Sequence, residues 1–85
     1  MMPIARLGDK HLCPICGPNM IVEGGTATID GIPVARVGDK TLCTAVIVTG
    51  SSMLFDDGRP VAYIGATTSH GGVIAQGAPR AFTLP

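Results

Sequence analysis

Apolar and polar residues alternate in short runs along this chain, and the runs recur. Residues 3–7, Pro-Ile-Ala-Arg-Leu, lead into Gly8-Asp9; residues 33–37, Pro-Val-Ala-Arg-Val, lead into Gly38-Asp39; residues 60–64, Pro-Val-Ala-Tyr-Ile, lead into Gly65-Ala66. Alternation of this kind predicts a short strand in each copy, with Pro3, Ala5 and Leu7 on one face and Ile4 and Arg6 on the other. A small Ala at the middle of each copy fits three strands that approach closely about an axis, where a larger side chain would overpack. The Pro removes an amide donor, which suits a strand start or a sheet edge. Gly-Asp then reads as a turn, since Gly tolerates positive φ and the Asp carboxylate can accept from backbone amides two residues on. Ala66 replaces the Asp in the third copy, so that turn has to form without a carboxylate.

A second block repeats as Ile21-Val22-Glu23-Gly24, Ile47-Val48-Thr49-Gly50 and Ile74-Ala75-Gln76-Gly77. Between the first two blocks comes Thr26-Ala27-Thr28-Ile29 before Asp30-Gly31, and after the second comes Ser52-Met53-Leu54-Phe55 before Asp57-Gly58. Asp-Gly between alternating runs is a strong hairpin signal. The third hairpin has its outgoing strand in residues 80–84 but no return strand after it. The missing partner sits at the amino terminus, so residues 1–7 are expected to pair beside residues 81–84, closing a ring of three hairpins, bringing the termini together and covering edges that would otherwise invite aggregation. The 12 Gly and 7 Pro are spread throughout, and no apolar period of 3.6 residues persists. The expected architecture is all-β, with pseudo-threefold symmetry.

Composition adds a constraint on stability. An 85-residue chain buries only roughly 60% of its unfolded surface. With Phe55, Phe82 and Tyr63 as its only aromatic residues and no Trp, a metal or an oligomeric partner is the expected staple. Six Lys and Arg balance six Asp and Glu, which argues against nucleic acid as a partner. No apolar run is long enough for stable membrane insertion or for a signal peptide, so cytosolic synthesis is expected.

Within the repeats, Cys13, Cys43 and His70 fall at one equivalent position, ten residues after the Pro of each copy. Three matched metal-capable side chains point to one ion on the pseudo-threefold axis. Cys16 follows Cys13 with the two-residue gap common in zinc knuckles. The spacing of 30 residues between Cys13 and Cys43, against 27 between Cys43 and His70, implies three inserted residues within residues 14–19. A closed structural zinc site uses four ligands. Spacing and repeat equivalence favour Cys13, Cys16, Cys43 and His70, with His11 as the alternative to Cys13. A redox dithiol would place its cysteines at a helix start, and no helix is expected here. Hydrolytic zinc would need a general base beside an open position, yet Glu23, the only Glu, belongs to a block whose other copies carry Thr49 and Gln76. No catalytic residues are assigned, and the protein is expected not to be an enzyme.

The three Pro-x-Ala-(Arg/Tyr) copies, the Gly-Asp turns, the Ile-Val-x-Gly blocks and Thr68-Ser69-His70-Gly71-Gly72 together resemble the PAAR-repeat proteins over essentially the whole chain. The resemblance implies a small cone of β-hairpins with one structural zinc ion near its apex. It implies a flat base seated on the trimeric VgrG spike of a bacterial type VI secretion system, one tip per trimer, sharpening the spike for membrane piercing and effector delivery. Family sites are rich in His with one Cys, which would select His11, Cys16, Cys43 and His70. Residues 1–85 would form a single PAAR domain without an appended effector domain, made in the bacterial cytoplasm and exported by the type VI apparatus without a signal peptide. Ile4, Val34 and Val61, as equivalent outward positions, and Met1, Met2 and Phe82 near the termini are the expected partner contacts, with effector proteins as further partners. An adaptor stapled by zinc onto another trimeric β-helical spike, such as that of a phage tail, is the alternative.

Overall fold

A computed structural model describes residues 2–84. Met1, among the expected partner contacts, lies outside them. The described chain is built of β1 (Met2–Pro3), β2 (Lys10–Cys13), β3 (Gly17–Met20), β4 (Thr28–Ile29), β5 (Ile32–Pro33), β6 (Phe55–Asp56), β7 (Arg59–Pro60), β8 (Val73–Ile74) and β9 (Phe82–Thr83). There is no helix among the described residues, and so none long and apolar enough to cross a membrane.

Two hairpins form where Asp-Gly predicts them, β4 with β5 and β6 with β7. Asp30 and Gly31 have φ of 55° and 78°, and Asp57 and Gly58 have 56° and 77°. Positive φ at both central residues gives a turn twisted to match its strands. The third hairpin is closed by the chain's two ends, with Met2 opposite Thr83 and Pro3 opposite Phe82. Ser51, fully buried, holds this closure: its hydroxyl bonds Thr83 Oγ1 at 3.0 Å and the Leu84 carbonyl at 2.5 Å.

The three arms meet in a cycle of backbone hydrogen bonds. Ala5 donates to the Ala62 carbonyl at 3.0 Å, Ala62 to Ala35 at 2.8 Å and Ala35 to Ala5 at 2.9 Å. A second cycle surrounds it, from Leu7 to Pro33 at 2.8 Å, Val37 to Pro60 at 2.9 Å and Ile64 to Pro3 at 2.9 Å. All three alanines have no exposed surface; strands that exchange amide bonds across an axis leave room for a methyl group and little more. Ile21, Ile47 and Ile74 pack on them as the main core. Each buried Ile contributes about 1.5–3 kcal/mol. The glycine closing each Ile-Val-x-Gly block is required by the same closeness. A Cβ at Gly24, Gly50 or Gly77 would lie 2.7, 2.9 or 2.8 Å from the Cβ of Pro33, Pro60 or Pro3.

The repeated strand does not alternate as expected. Ile4, Val34 and Val61 are 5%, 3% and 2% exposed, and form their own apolar layer with Ile29 and Ala81. They do not point outward, because both faces of a strand crossing the axis meet another arm. Leu7, expected to share the face of Ala5, is exposed. At the Gly-Asp turns the carboxylate reaches back rather than forward: Asp9 accepts from the Arg6 amide at 2.7 Å and Asp39 from the Arg36 amide at 2.8 Å. Ala66 keeps the same turn through its amide bond to the Tyr63 carbonyl at 3.0 Å, matching Asp9 to Arg6 and Asp39 to Arg36.

The insertion also differs from the expected three residues. The first-arm hairpin runs from Lys10 to its partner Met20, where the second runs from Lys40 to Val46 and the third from Thr67 to Val73. It is four residues longer, and the segment leading from Gly24 into the next hairpin is one residue shorter than that from Gly50, which conceals the fourth in the sequence spacing.

Candidate metal centre

Beyond the isoleucine layer, each arm turns up into a hairpin that bears metal-capable side chains. His11 pairs with Ile74, and Thr41 and Thr68 bridge Ile21 and Ile47. These three equivalent side chains are buried and form a polar layer on the core. Two residues farther along the same face of each hairpin come Cys13, Cys43 and His70. Cys16 joins them from the loop between β2 and β3, whose amide donates to Cys13 Sγ at 3.4 Å.

The ligand atoms of Cys13, Cys16, Cys43 and His70 lie within 4.8 Å of one another, and no other such group occurs among the described residues. His70 Nδ1 stands 3.7 Å from both Cys13 Sγ and Cys43 Sγ. A tetrahedral site with metal–sulfur bonds of about 2.3 Å and metal–nitrogen bonds of about 2.0 Å has edges of roughly 3.5–3.8 Å, the separation at which His70 Nδ1 stands from Cys13 Sγ and Cys43 Sγ. None of the three cysteines is in a disulfide.

Electrostatics favours a cation there. The Thr41 hydroxyl, 3.5 Å from Cys43 Sγ, is the main cause holding the Cys43 thiol down at about 5, helped against burial by the Ala45 amide, Cys16 and His70. Desolvation would raise the Cys13 thiol, but the amides of Cys16 and Ile15 and the His70 ring bring it below its ordinary value. Cys16 is pushed up to about 11, chiefly by its hydrogen bond to the Cys43 sulfur, with burial and Cys13 adding. His70 is raised by Cys13 and then by Cys43. Of the three sulfurs Cys43 gives up its proton most readily, and closely spaced thiols either share protons or yield them to a metal.

His11 lies outside this group. Its ring is fully buried, with Nδ1 3.0 Å from Asn19 Oδ1 and Nε2 2.9 Å from Thr68 Oγ1. Asn19 was not singled out in the sequence, yet its Nδ2 donates to Cys43 Sγ at 3.4 Å. No sequence signal marks it, because it lies in the insertion and has no counterpart in the other arms.

At the opposite end of the layered axis, Ile4, Val34 and Val61 floor an apolar depression of about 320 Å³, walled in part by Ile29, Leu54, Phe55 and Ala81. Phe82 of β9 is exposed and Met2 half-buried. Phe55 and Phe82 occupy equivalent positions, each opposite the Pro of its hairpin. Repeat equivalence therefore marks Phe55 in the sequence as the counterpart of Phe82.

A closed all-β ring of three repeated arms, with a Cys3His cluster at one end, defines a small structural class. A family model described as PAAR motif matches residues 1–48 and again residues 25–76. The chain belongs to the PAAR motif family. No curated protein matches the sequence closely enough to count as a relative.

Proposed function

We propose that this chain is the tip of a trimeric VgrG spike in a type VI secretion system, stiffened at its apex by one zinc ion and acting mechanically rather than as an enzyme. The observation that carries this is the coincidence of one pseudo-threefold axis with three features. They are the closed alanine cycle, the metal-capable cluster at one end and the apolar depression at the other. A threefold partner can offer equivalent edges to Ile4, Val34 and Val61 at the floor and to Phe55 and Phe82 at the rim. The donor set suits zinc, which accepts three thiolates and one imidazole in a closed tetrahedron. Cys13, Cys16, Cys43 and His70 would hold it, and it would bind the three arms together where no core remains to do so. Delivered with the spike, the tip leaves the bacterial cytoplasm by the apparatus itself and carries effector proteins with it.

The test is to mix the protein with a trimeric VgrG spike and weigh the complex by native mass spectrometry. One copy per trimer is expected, with binding weakened at least tenfold by Phe55→Asp combined with Phe82→Asp, both exposed positions that leave the fold intact. No complex, or three copies per trimer, would overturn the proposal.

A further inference from the structure

Below the ligands lies a hydrogen-bond chain whose direction can be worked out from its ends. Asn19 Nδ2 faces the Gly17 carbonyl at 3.0 Å and Cys43 Sγ at 3.4 Å. Both are acceptors, so the amide nitrogen belongs there, and turning the amide over would set its oxygen against a carbonyl and a sulfur. Oδ1 therefore faces His11 Nδ1, at 3.0 Å. Two acceptors cannot share that contact, so Nδ1 carries the proton and donates to Oδ1. Nε2 is left as an acceptor, 2.9 Å from Thr68 Oγ1, whose hydroxyl donates to it while accepting the Gly72 amide at 3.2 Å. Every group in the chain from Thr68 to Cys43 is thereby satisfied in one consistent direction.

We propose that His11 and Asn19 are positioning residues for the metal centre: His11, fixed as the Nδ1–H tautomer, aims the Asn19 amide at the Cys43 sulfur. This rests on the proposal that Cys13, Cys16, Cys43 and His70 hold a metal. The arms supply the reason for the arrangement. In the second arm Thr41 reaches its own cysteine directly, at 3.5 Å. In the first arm the equivalent residue is His11, and the longer hairpin brings Asn19 between it and Cys43, so both sets of donors converge on one sulfur. Room for the ring is provided for: a Cβ at Gly72 would collide with His11 Nε2 and with the backbone of β2. Donors of this kind orient a ligand and offset its charge, and their loss typically costs about 10- to 100-fold in metal affinity.

The experiment uses the intact protein with zinc and cobalt(II) as probes. Asn19→Leu, at a half-buried position, removes the donor and no ligand. It should keep the cobalt charge-transfer band of three thiolates while losing zinc about 10- to 100-fold more readily to a chelator. Nitrogen-15 spectra of the zinc-loaded parent should show His11 protonated at Nδ1 and bare at Nε2, a signature that a merely space-filling ring would not fix. The inference is overturned if Asn19→Leu holds zinc as tightly as the parent, if the Nε2–H tautomer is seen, or if His11→Asn changes the cobalt spectrum as loss of a ligand would. A parent protein that takes up neither metal overturns the metal centre as well, so the two failures are distinguishable.

Discussion

At the waist the three arms carry nearly the same residues, and at the apex they do not. Ala5, Ala35 and Ala62 are identical, as are Ile21, Ile47 and Ile74 and the glycines at 24, 50 and 77. Two layers on, the equivalent positions read His11, Thr41 and Thr68, and then Cys13, Cys43 and His70. The difference follows from what holds each region together. Around the waist, backbone bonds backbone across the axis, so every arm faces the same steric limit and only Ala or Gly satisfies it. At the apex the arms meet through side-chain donor atoms, and an ion asks only that four suitable donors converge. Repetition is therefore strict where geometry is backbone-limited and loose where chemistry can be supplied in several ways.

The apex should consequently be the more fragile region. Cys43→Ser removes the sulfur on which Thr41, Asn19, Cys16 and His70 converge, and structural zinc in small modules contributes about 10–16 kcal/mol of apparent binding free energy. We expect the variant to bind zinc far more weakly and to unfold at room temperature or melt tens of degrees lower, by calorimetry and elemental analysis. Chelator-treated parent should behave the same way. Unchanged metal content with unchanged melting would show that the apex holds together without an ion.

Next in size is Asp39→Ala, between the two regions. Asp39 is 1% exposed and accepts from Arg36 Nε and Nη2, both at 3.2 Å, and from Arg59 Nη2 at 2.5 Å. Removing it takes the main partner from the buried Arg36 guanidinium, which keeps only the Gly24 carbonyl at 3.4 Å and the exposed Asp57 carboxylate at 3.8 Å, a loss of about 3 kcal/mol, readable by denaturant melting of the metal-loaded protein. Ala35→Val is smaller on this scale, about 1–3 kcal/mol of overpacking. Because it acts on the alanine cycle, it should lower stability while leaving zinc affinity in the folded fraction unchanged. Equal losses of metal from Ala35→Val and Asn19→Leu would erase the distinction between waist and apex.

Much of the waist was legible, since repetition reports a steric limit that recurs. The ring closure of residues 2–3 onto 82–83 followed from a hairpin lacking one strand. Period-two alternation does not separate inside from outside in strands that cross an axis. Flat-sheet reasoning put Ile4, Val34 and Val61 outside, whereas contact with neighbouring arms buries both faces. At the apex, repeat equivalence pointed to Cys13, and the knuckle spacing to Cys16. The buried pairing of His11 with Thr68 was invisible because its partner lies 57 residues away. Asn19 was invisible because insertions have no second copy against which to be compared.

The smallest effect separates the arms from one another. Asp9 and Asp39 fill equivalent positions, but Arg6 Nε stands 3.8 Å from the Asp9 carboxylate and has no hydrogen bond, whereas Arg36 grips Asp39 through two nitrogens. Desolvation outweighs the Arg6 amide and charge, and the Asp9 carboxyl is raised above its ordinary value. A carboxyl raised on folding makes the folded state hold its proton more tightly than the unfolded chain. Its contribution is then full below the ordinary value near pH 4 and is lost as pH rises through the folded value. Asp56 has the opposite sign. The Thr26 hydroxyl, with the amides of Ala27 and Thr26, holds it below the ordinary range, so its contribution is present above about pH 4 and lost on further acidification. Asp9→Asn keeps an oxygen for the Arg6 amide and cannot ionise. Relative to the parent, its melting temperature should gain slightly as pH rises above the ordinary carboxylate value of about 4, by no more than a few degrees. Asp56→Asn should instead lose most at neutral pH and converge with its parent in acid. If Asp9→Asn tracked the parent's pH profile at a constant offset, folding would leave the proton affinity of the Asp9 carboxyl unchanged, and the weak Arg6 contact would carry no electrostatic consequence.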